Sequence, residues 1–464
     1  MLLDQILSCL KDKDMDALKA LLANAEDVEI LNVFPELEAK EQVIVFRLLA
    51  KDKALSIFEE LDTDDQQNLM RSFTDAQANE LVNELAPDDR VRLLDELPAT
   101  VAKRIMAALS PKEREMTNLL MGYEAQTAGR IMTPEYVRLH KDLTAAQALE
   151  KVKINAVEKE TIYTIYITDH RRRLEGFLSL RDLLIAKPDA KIESIMEKIT
   201  ITVSTDTDQE EVARTLQRLD WLAIPVVDKE GLLVGIVTID DAIDILEDEA
   251  TEDMLTQAGI MAGKEANRSE MLINGSLFTI WKVRLPFLFI AIIGGTLAAI
   301  VMSGFEDVLD ASVAVAFFIP LIMDLGGSVG TQSSTVFARG VALGHINMSH
   351  FAKHFVKEIG VGFSLGAIAG AISGLVSGGI STLLHEGGAV AGGEAWRIGL
   401  AVGLSVTATA TIASILGFLV PYVLVKRNID PAAGSSPIIT TIKDISGLLV
   451  YFMFASIFLS QLLY

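Results

Sequence analysis

Asp444 is a lone carboxylate beside an apolar stretch, since the run from Ile445 to Tyr464 carries no charge. A carboxylate at membrane depth is costly unless it faces water, a partner or an ion, so such a residue indicates a functional site. The residue type and its apolar setting therefore predict a functional site, and the rest of the chain indicates which ion to consider.

A second set of carboxylates follows helical spacing near the middle of the chain. Asp241, Asp244 and Asp248 recur at three- and four-residue intervals, and Glu252 extends the row. On one helix face these like charges repel each other, and a bound cation relieves the repulsion. A solvated helix face explains the same pattern without any ligand.

The charge of the chain is divided unevenly. From residue 275 onward the basic and acidic residues are equal in number, so the net charge of −22 belongs to the part before it. Such an acidic part argues against nucleic acid as a partner and suits cations. Cys9 is the only cysteine, which excludes an intrachain disulfide. The N-terminal residues do not resemble a signal peptide, so the acidic half is expected in the cytosol.

Five stretches are long and apolar enough to cross a membrane, which takes roughly 20 residues. Asp324 and nearby glycines interrupt the second of them. Loops rich in Lys and Arg alternate with acidic loops, which predicts a cytoplasmic N-terminus and an external C-terminus. An odd number of spans leaves no simple internal repeat, so a dimer is a natural way to enclose a pore. The predicted spans are Leu285–Phe305, Ala311–Ala338, Ile359–Leu384, Ile398–Val425 and Ile445–Tyr464.

Two repeats organise the acidic half. Apolar residues recur every twelve positions, each followed by a helix-start signature, which predicts short helices stacked in a superhelix over residues 1–125. They are Leu61, Phe73, Leu85, Leu97 and Leu109.

In the third span, glycines recur every four residues and predict close helix packing. They are Gly362, Gly366, Gly370, Gly374 and Gly378.

Residues 126–250 contain a duplicated unit in which strands and turns lead to a Ser or Thr that caps a helix. The segment 176–184 is echoed by 235–243. This pattern resembles a tandem of CBS domains. Such pairs often bind adenine nucleotides through a Ser or Thr and an Asp three residues later. Ser179 with Asp182, and Thr238 with Asp241, have that spacing, although an ordinary helix cap has it too.

The order of the parts resembles the MgtE family of magnesium channels over essentially the whole chain. The sharpest motif, from Pro320 to Ser333, is similar to the family's Pro…Gly-Gly-Asn-x-Gly-x-Gln signature, with Ser328 in place of Asn. Its pore-motif residues are Asp324, Gly326, Gly327, Gly330 and Gln332. Two further motifs are Asp430-Pro431-Ala432 leading to Asp444, and the acidic run 249–253. The glycines of the pore motif are expected to open the helix and let another segment approach.

The resemblance implies a multidomain membrane protein. Its parts would be an all-α superhelical N domain at 1–125, α/β CBS domains at 126–188 and 189–246, an acidic connecting (plug) helix at 247–276, and a five-helix transmembrane pore domain at 277–464. Asp444 would be the pore carboxylate, one from each subunit of a homodimer in the lipid bilayer of the cell membrane. Lys443 beside it is expected to extend to the cytosolic interface.

Carried over residue by residue, the family's cytosolic magnesium ligands fall on eight acidic positions. They are Asp88, Glu210, Asp220, Asp241, Asp244, Glu249, Glu252 and Asp253. The implied function is Mg²⁺ uptake that stops when cytosolic Mg²⁺, bound at these residues, is high. Mg²⁺ would be both substrate and regulator, with ATP as a further ligand of the CBS pair.

Other functions fit parts of the same sequence. A membrane-anchored nucleotide or ion sensor would use the spans only as an anchor, and a transporter of Co²⁺ or Mn²⁺, or a coupled exchanger, would keep the carboxylate site. An enzyme is not expected, because the histidines show no metal-ligand or catalytic-triad spacing. They are His140, His170, His345, His350, His354 and His385.

Overall fold

The computed structural model of the chain falls into two compact units. One comprises Met1–Glu249 with Glu265–Asn267, and the other Ala250–Lys264 with Arg268–Tyr464. The described residues are 2–61, 63–73, 75–97, 99–156, 159–260, 272–273, 276–386, 395–427 and 435–459. Asp430-Pro431-Ala432 and a large part of the predicted 247–276 connecting helix lie outside these ranges.

The first unit opens with ten short helices. They are α1 (Leu2–Asp12), α2 (Met15–Asn24), α3 (Asp27–Val33), α4 (Ala39–Leu48), α5 (Lys51–Glu59), α6 (Thr63–Ser72), α7 (Asp75–Glu84), α8 (Pro87–Glu96), α9 (Ala99–Ala108) and α10 (Pro111–Met121), with a 3₁₀ turn at Phe34–Glu36. Helices α6 to α10 begin twelve residues apart, which confirms the predicted period. Alternate helices pack together, α4 on α6, α6 on α8 and α8 on α10, as in a superhelix.

The repeating apolar residues close each helix and enter a common core. Leu85, Leu97 and Leu109 each donate a backbone hydrogen bond to the carbonyl four residues earlier, and their side chains are buried. Pro at the first position of α8 and α10 costs no hydrogen bond, because the first N–H groups of a helix have no partner within it. Local capping and the period of the apolar residues are therefore sufficient to specify these helices.

Arg90 of α8 joins three helices through its guanidinium, which is 1% exposed. It donates to the carbonyl oxygens of Val82 and Leu85 at 2.7 and 2.6 Å. It also pairs with Glu113 of α10, with 2.7 Å between Nη1 and Oε2. The carbonyls at the end of α7 thus obtain donors that the helix itself cannot supply.

We expect Arg90→Ala to lower the free energy of unfolding by about 3–5 kcal/mol, because it removes the buried ion-pair partner of Glu113 and leaves two carbonyls without a donor. Thermal unfolding of the purified protein, followed by circular dichroism, measures the loss. Arg114→Ala on the exposed face of α10 is the matched control. Equal melting temperatures for the two variants would contradict this role of Arg90.

Two similar sheets follow, which confirms the duplicated unit. The first contains β1 (Tyr136–Leu139), β2 (Thr161–Thr168), β3 (Leu174–Ser179) and β4 (Glu197–Lys198), and the second β5 (Val203–Ser204), β6 (Ala223–Val227) and β7 (Leu233–Thr238). In each, a parallel pair (β1 with β2, β5 with β6) is followed by an antiparallel pair (β2 with β3, β6 with β7). The helices are α11 (Ala128–Ile131), α12 (Ala145–Asn155), α13 (Leu180–Ile185), α14 (Ile192–Ile195), α15 (Gln209–Leu219) and α16 (Ile239–Gln257).

The second unit contains the five predicted spans. Its helices are α17 (Leu277–Ser303), α18 (Glu306–Ala311), α19 (Ile319–Ala342), α20 (Phe351–Glu386), α21 (Ala395–Lys426) and α22 (Ser435–Leu459), with 3₁₀ turns at Val313–Phe318 and Met348–His350. Five helices are long and apolar enough to cross a membrane. The last of these segments begins at Ile439, earlier than the predicted Ile445. Asp444 therefore lies inside a helix and not at its start.

The glycine row of α20 packs directly on α21. A Cβ atom placed on Gly366 would lie 2.8 Å from the carbonyl oxygen of Thr407, and one on Gly374 would lie 2.7 Å from that of Gly399. Only glycine permits this backbone approach, which confirms the predicted close packing.

Candidate pore and ion-sensing sites

Asp444 is held two turns inside α22, with its side chain 21% exposed. The Nζ atom of Lys443 lies 3.1 Å from its Oδ1 atom. That oxygen is buried and accepts no hydrogen bond of good geometry, although the ammonium is within ion-pair distance. The Lys443 ammonium is thus the charged group that faces this buried oxygen.

Lys443 does not extend to the membrane surface, and the prediction that it does so was wrong. Its side chain is 5% exposed, and its ammonium donates to the carbonyl oxygen of Met323 at 3.0 Å. The reason is the early start of α22 at Ser435, which places Lys443 well inside the helix. The ammonium is satisfied by Asp444 and by a backbone carbonyl of α19 in place of interfacial water.

A cavity of about 670 Å³ adjoins Lys443 on α19. Its lining residues are Asp324, Gly327, Ser328, Thr331, Gln332, Thr335, Val336 and Lys443. Five of them, Asp324, Ser328, Thr331, Gln332 and Thr335, form what we call the polar stripe, because their spacing of four, three, one and three residues follows one face of α19. All five are exposed within this single chain. A stripe of this kind is costly against lipid and indicates contact with water or protein.

The glycines of the pore motif do not open α19, which runs unbroken from Ile319 to Ala342. They do admit other segments, as expected. A Cβ atom on Gly326 would lie 2.8 Å from the Thr409 methyl group of α21, and one on Gly327 would collide with the ammonium of Lys443. Because every backbone group in a bilayer needs a partner, an unbroken helix is the cheaper arrangement here.

Glu358 is a membrane carboxylate that the sequence analysis missed. It lies inside α20, where Ser333 of α19 donates to its Oε1 atom at 2.6 Å. Its backbone carbonyl accepts a hydrogen bond from Ser414 of α21 at 2.9 Å. It stands directly before the predicted third span, next to Lys357. The helical spacing of Phe351, Phe355 and Glu358 is the signal that could have placed it in the span.

A second candidate site lies in the first unit, where carboxylates from four parts of the chain converge. We call it the acidic cluster: Glu59 from the end of α5, Asp88 and Asp89 from α8, Glu160 before β2, and Asp240, Asp241 and Asp244 from α16. Arg92 is the cation that faces it, pairing with Asp89 and with Asp244, each at 3.1 Å. The acidic cluster thus joins the helical repeat to the duplicated α/β unit.

Burial and repulsion by neighbouring carboxylates raise the pKa of five members of the cluster, Glu59, Asp88, Asp89, Glu160 and Asp241. Burial, opposed by a hydrogen bond from Thr238 and reinforced by Asp89, raises the pKa of Asp241 to about 7. Burial and then the charge of Asp241 raise the pKa of Asp88 well above its usual range. One oxygen of Asp88 is buried without a hydrogen-bond partner. A proton or a cation stabilises such an arrangement.

We expect the metal-free protein to gain stability as the pH falls from 8 toward 5. Asp241 has a pKa of about 7 when folded and 3.8 ordinarily, so between these values the folded chain binds more protons than the unfolded chain. The free energy of unfolding then rises on acidification, by at most about 1.4 kcal/mol per pH unit for each such carboxyl group. Above the folded pKa the dependence levels off.

Thermal unfolding in a chelator across this pH range measures the effect, and Asp241→Asn should flatten it. The exposed Asp189→Asn serves as the control. Melting temperatures of the wild type that fall on acidification would contradict the expected sign.

The structure brings together only part of the predicted cytosolic ligand set. Asp88, Asp241 and Asp244 meet in the acidic cluster. Glu210 instead pairs with Arg214, one turn along α15. Among the described residues, no three His, Cys, Asp or Glu side chains are arranged to hold a bare metal ion. The acidic cluster suits a hydrated cation better, held through its waters.

The remaining predicted ligands lie elsewhere. Asp220 ends α15 in the left-handed region, at φ 53°. Glu249 accepts a hydrogen bond from Gln209 at 2.9 Å. Glu252 and Asp253 belong to the second unit. Glu59, Asp89 and Glu160 were missed, because their sequence separation hides a proximity that only the fold creates.

Of the two predicted nucleotide-binding pairs, the first caps a helix and the second is joined by a side-chain hydrogen bond. Ser179 accepts from the backbone N–H of Asp182 at 3.0 Å, and Thr238 donates to the Asp241 carboxylate at 2.7 Å. None of the four lines the cavity of about 130 Å³ in the duplicated unit. Its lining residues are Thr164, Tyr166, Phe177, Ile199, Asp220, Trp221, Leu222, Ala223 and Pro225.

Three family models match the chain. They describe a divalent cation transporter of the MgtE type at residues 319–454, an MgtE intracellular N domain at 25–126, and CBS domains at 128–189 and 192–248. The magnesium transporter MgtE of Thermus thermophilus is 35% identical over 348 residues, 75% of this chain and 73% of its own length. That of Bacillus subtilis is 34% identical over 350 residues, with the same shares.

Two solved structures are similar to the first half. A crystal structure of the cytosolic domain of the Mg²⁺ channel MgtE in complex with ATP has a TM-score of 0.50 and 35% identity, and covers 52% of this chain and 99% of its own. A crystal structure of the soluble part of a magnesium transporter has a TM-score of 0.50 and 31% identity, and covers 54% of this chain and 98% of its own.

Proposed function

Because the chain belongs to the MgtE family of divalent cation transporters, we propose that it is a Mg²⁺ channel whose acidic cytosolic half closes the pore when Mg²⁺ is high. It is a multi-pass membrane protein with five candidate spans. The observation that carries the proposal is the half-buried carboxylate of Asp444, whose ion-pair partner Lys443 borders the cavity lined by the polar stripe.

The pore chemistry suits a hydrated ion. Mg²⁺ gives up its waters reluctantly, so a site with few carboxylates and several hydroxyl or amide groups fits it better than a dehydrating ring of carbonyls. Asp444 and Asp324 would supply the charge. Ser328, Thr331 and Gln332 would hydrogen-bond the retained waters. Ser328, where the family has Asn, offers a shorter side chain and leaves more room for them.

A second copy of the chain completes the pore in this proposal. The polar stripe is exposed in one chain, and lipid is an unsuitable neighbour for Asp324 and Gln332. A homodimer with facing polar stripes would put both in contact with water and bring one Asp444 from each subunit to the conduction path. Cysteine substitution at Thr335 and disulfide cross-linking in membranes test this arrangement.

The acidic cluster would be the sensor. High cytosolic Mg²⁺ neutralises its carboxylates and favours the compact arrangement of the first unit, and low Mg²⁺ leaves them to repel each other. This is allostery between two ion sites with a differential affinity for two states. The proposed ligands are Asp88, Asp241 and Asp244, with Glu210, Asp220, Glu249, Glu252 and Asp253 as further sites.

The finer features of the topology belong to the same proposal. The N-terminus would lie in the cytosol and the C-terminus outside, with the domain boundaries at 125, 188, 246 and 276. ATP would bind the duplicated unit, which is supported by the ATP complex of a related cytosolic domain.

Mg²⁺ flux into proteoliposomes tests the function directly. We expect flux that falls as Mg²⁺ rises on the side of the first unit. Flux that does not change with this Mg²⁺ would contradict the sensor role of the acidic cluster. Absence of flux would favour a membrane-anchored sensor. Co²⁺ or Mn²⁺ carried faster than Mg²⁺ would change the substrate, and flux that requires a counter-ion would indicate a coupled exchanger.

A further inference from the structure

The ammonium of Lys443 occupies a position suited to a cation. It lies 3.1 Å from Asp444 Oδ1 and 3.0 Å from the carbonyl oxygen of Met323, and it borders the cavity lined by the polar stripe. A carboxylate oxygen, a backbone carbonyl and a polar cavity are also what a permeating cation would meet there. One positive charge of the chain itself thus already stands beside the pore carboxylate.

The surrounding backbone makes room for this ammonium. Any side chain at Gly327 would occupy the place of Lys443 Nζ, because a Cβ atom there would collide with it. The lysine is also almost fully buried, although its long side chain usually lets the charge reach water. Gly327 and Lys443 are therefore complementary parts of one arrangement.

We propose that the Lys443 ammonium is a tethered cation that a permeating ion must displace from Asp444, and that this displacement selects divalent over monovalent cations. The inference rests on the proposed function and adds a specificity-determining residue to it. Lys443 acts through Asp444 and is not itself an ion ligand.

The selection follows from charge and tethering. A monovalent ion offers Asp444 the same charge as the ammonium, which is held beside it at a high effective concentration. A divalent ion offers twice the charge and hence a stronger attraction to the carboxylate at equal distance. After displacement, the ammonium repels a further cation and so helps the ion to leave. Without the ammonium, Na⁺ could neutralise Asp444 and pass.

The test compares Na⁺ flux without Mg²⁺, and the Mg²⁺ dependence of Mg²⁺ flux, in proteoliposomes of the full chain. We expect Lys443→Met to raise Na⁺ flux by about tenfold or more and to lower the Mg²⁺ concentration for half-maximal flux. Lys443→Arg keeps the charge and should stay near the wild type. Lys357→Met removes an exposed lysine of α20 and is the matched control.

Gly327→Ala provides a second route, because its methyl group displaces the ammonium while the lysine remains. It should raise Na⁺ flux in the same direction, and adding Lys443→Met should raise it little further. Wild-type Na⁺ flux in both single variants overturns the proposal. So does a Lys443→Met protein that fails to assemble while Gly327→Ala behaves as wild type, since Lys443 is then structural. Absence of Mg²⁺ flux in the wild type overturns the proposed function instead.

Discussion

Asp444→Asn is expected to reduce Mg²⁺ flux by at least about a hundredfold, an effect of some 2.7 kcal/mol on the ion in the pore. The amide keeps the size and the hydrogen-bonding oxygen of the side chain but removes its charge. Each pore then loses the attraction of the carboxylate for a divalent ion and keeps the positive charge of Lys443 beside the path. The remaining field repels Mg²⁺.

Flux into proteoliposomes at saturating Mg²⁺ measures this loss. Asp310→Asn, an exposed acid of α18 in the same unit, is the control and should conduct normally. Because Asp444→Asn leaves a buried ammonium unpaired, Asp444→Asn with Lys443→Met separates loss of charge from loss of folding. A double variant that is as thermally stable as the wild type and conducts Mg²⁺ at the wild-type rate would show that Asp444 is not needed for conduction.

Asp241→Asn combined with Asp244→Asn is expected to raise the Mg²⁺ concentration needed for closure by about tenfold or more, the effect of 1.4 kcal/mol or more of lost ion binding. Asp241 is a half-buried member of the acidic cluster, and Asp244 pairs with Arg92 across it. Their loss removes two of the charges that attract Mg²⁺ and much of the repulsion that the ion relieves. Closure of the channel then responds less strongly to the Mg²⁺ concentration.

Flux measured against Mg²⁺ on the side of the first unit gives the concentration for half-closure. Asp189→Asn with Glu193→Gln removes two exposed acids of the same unit and serves as the matched control. An unchanged concentration for half-closure in the Asp241 and Asp244 double variant would place the sensor elsewhere, whereas maximal flux itself should remain, since Asp444 is intact.

The sequence predicted best those features that depend on residues close together along the chain. Helices α6, α7, α8 and α10 begin at Thr63, Asp75, Pro87 and Pro111, and the period of twelve from α6 to α10 follows the repeating apolar residues. The five spans were predicted from long uncharged stretches of sequence. A bilayer offers the backbone no hydrogen-bond partners, so such a stretch must form a helix that pairs its own N–H and C=O groups. The glycine row of α20 predicted its packing, because glycine has no side chain to keep α21 away.

Side-chain direction was not determined in this way. The sequence places Lys443 next to Asp444 but leaves open whether the ammonium turns to water or to the helix interior. The start of α22 at Ser435 and the space over Gly327 decide it, and both depend on α19 packing against α22. Glu358 is a similar case, because its partner Ser333 is 25 residues away on another span.

By itself, the sequence determined the membrane segments, the two repeats and the acidic character of the first half, and it predicted Asp444 as a candidate pore carboxylate. The tertiary structure alone decided which charges meet: Glu59 and Glu160 with Asp89 in the acidic cluster, and the Lys443 ammonium with Asp444 inside α22. The physical reason is that helix starts and hydrophobic periods depend on neighbours along the chain. Coulomb energies and burial depend on distances in space, which only the folded chain fixes.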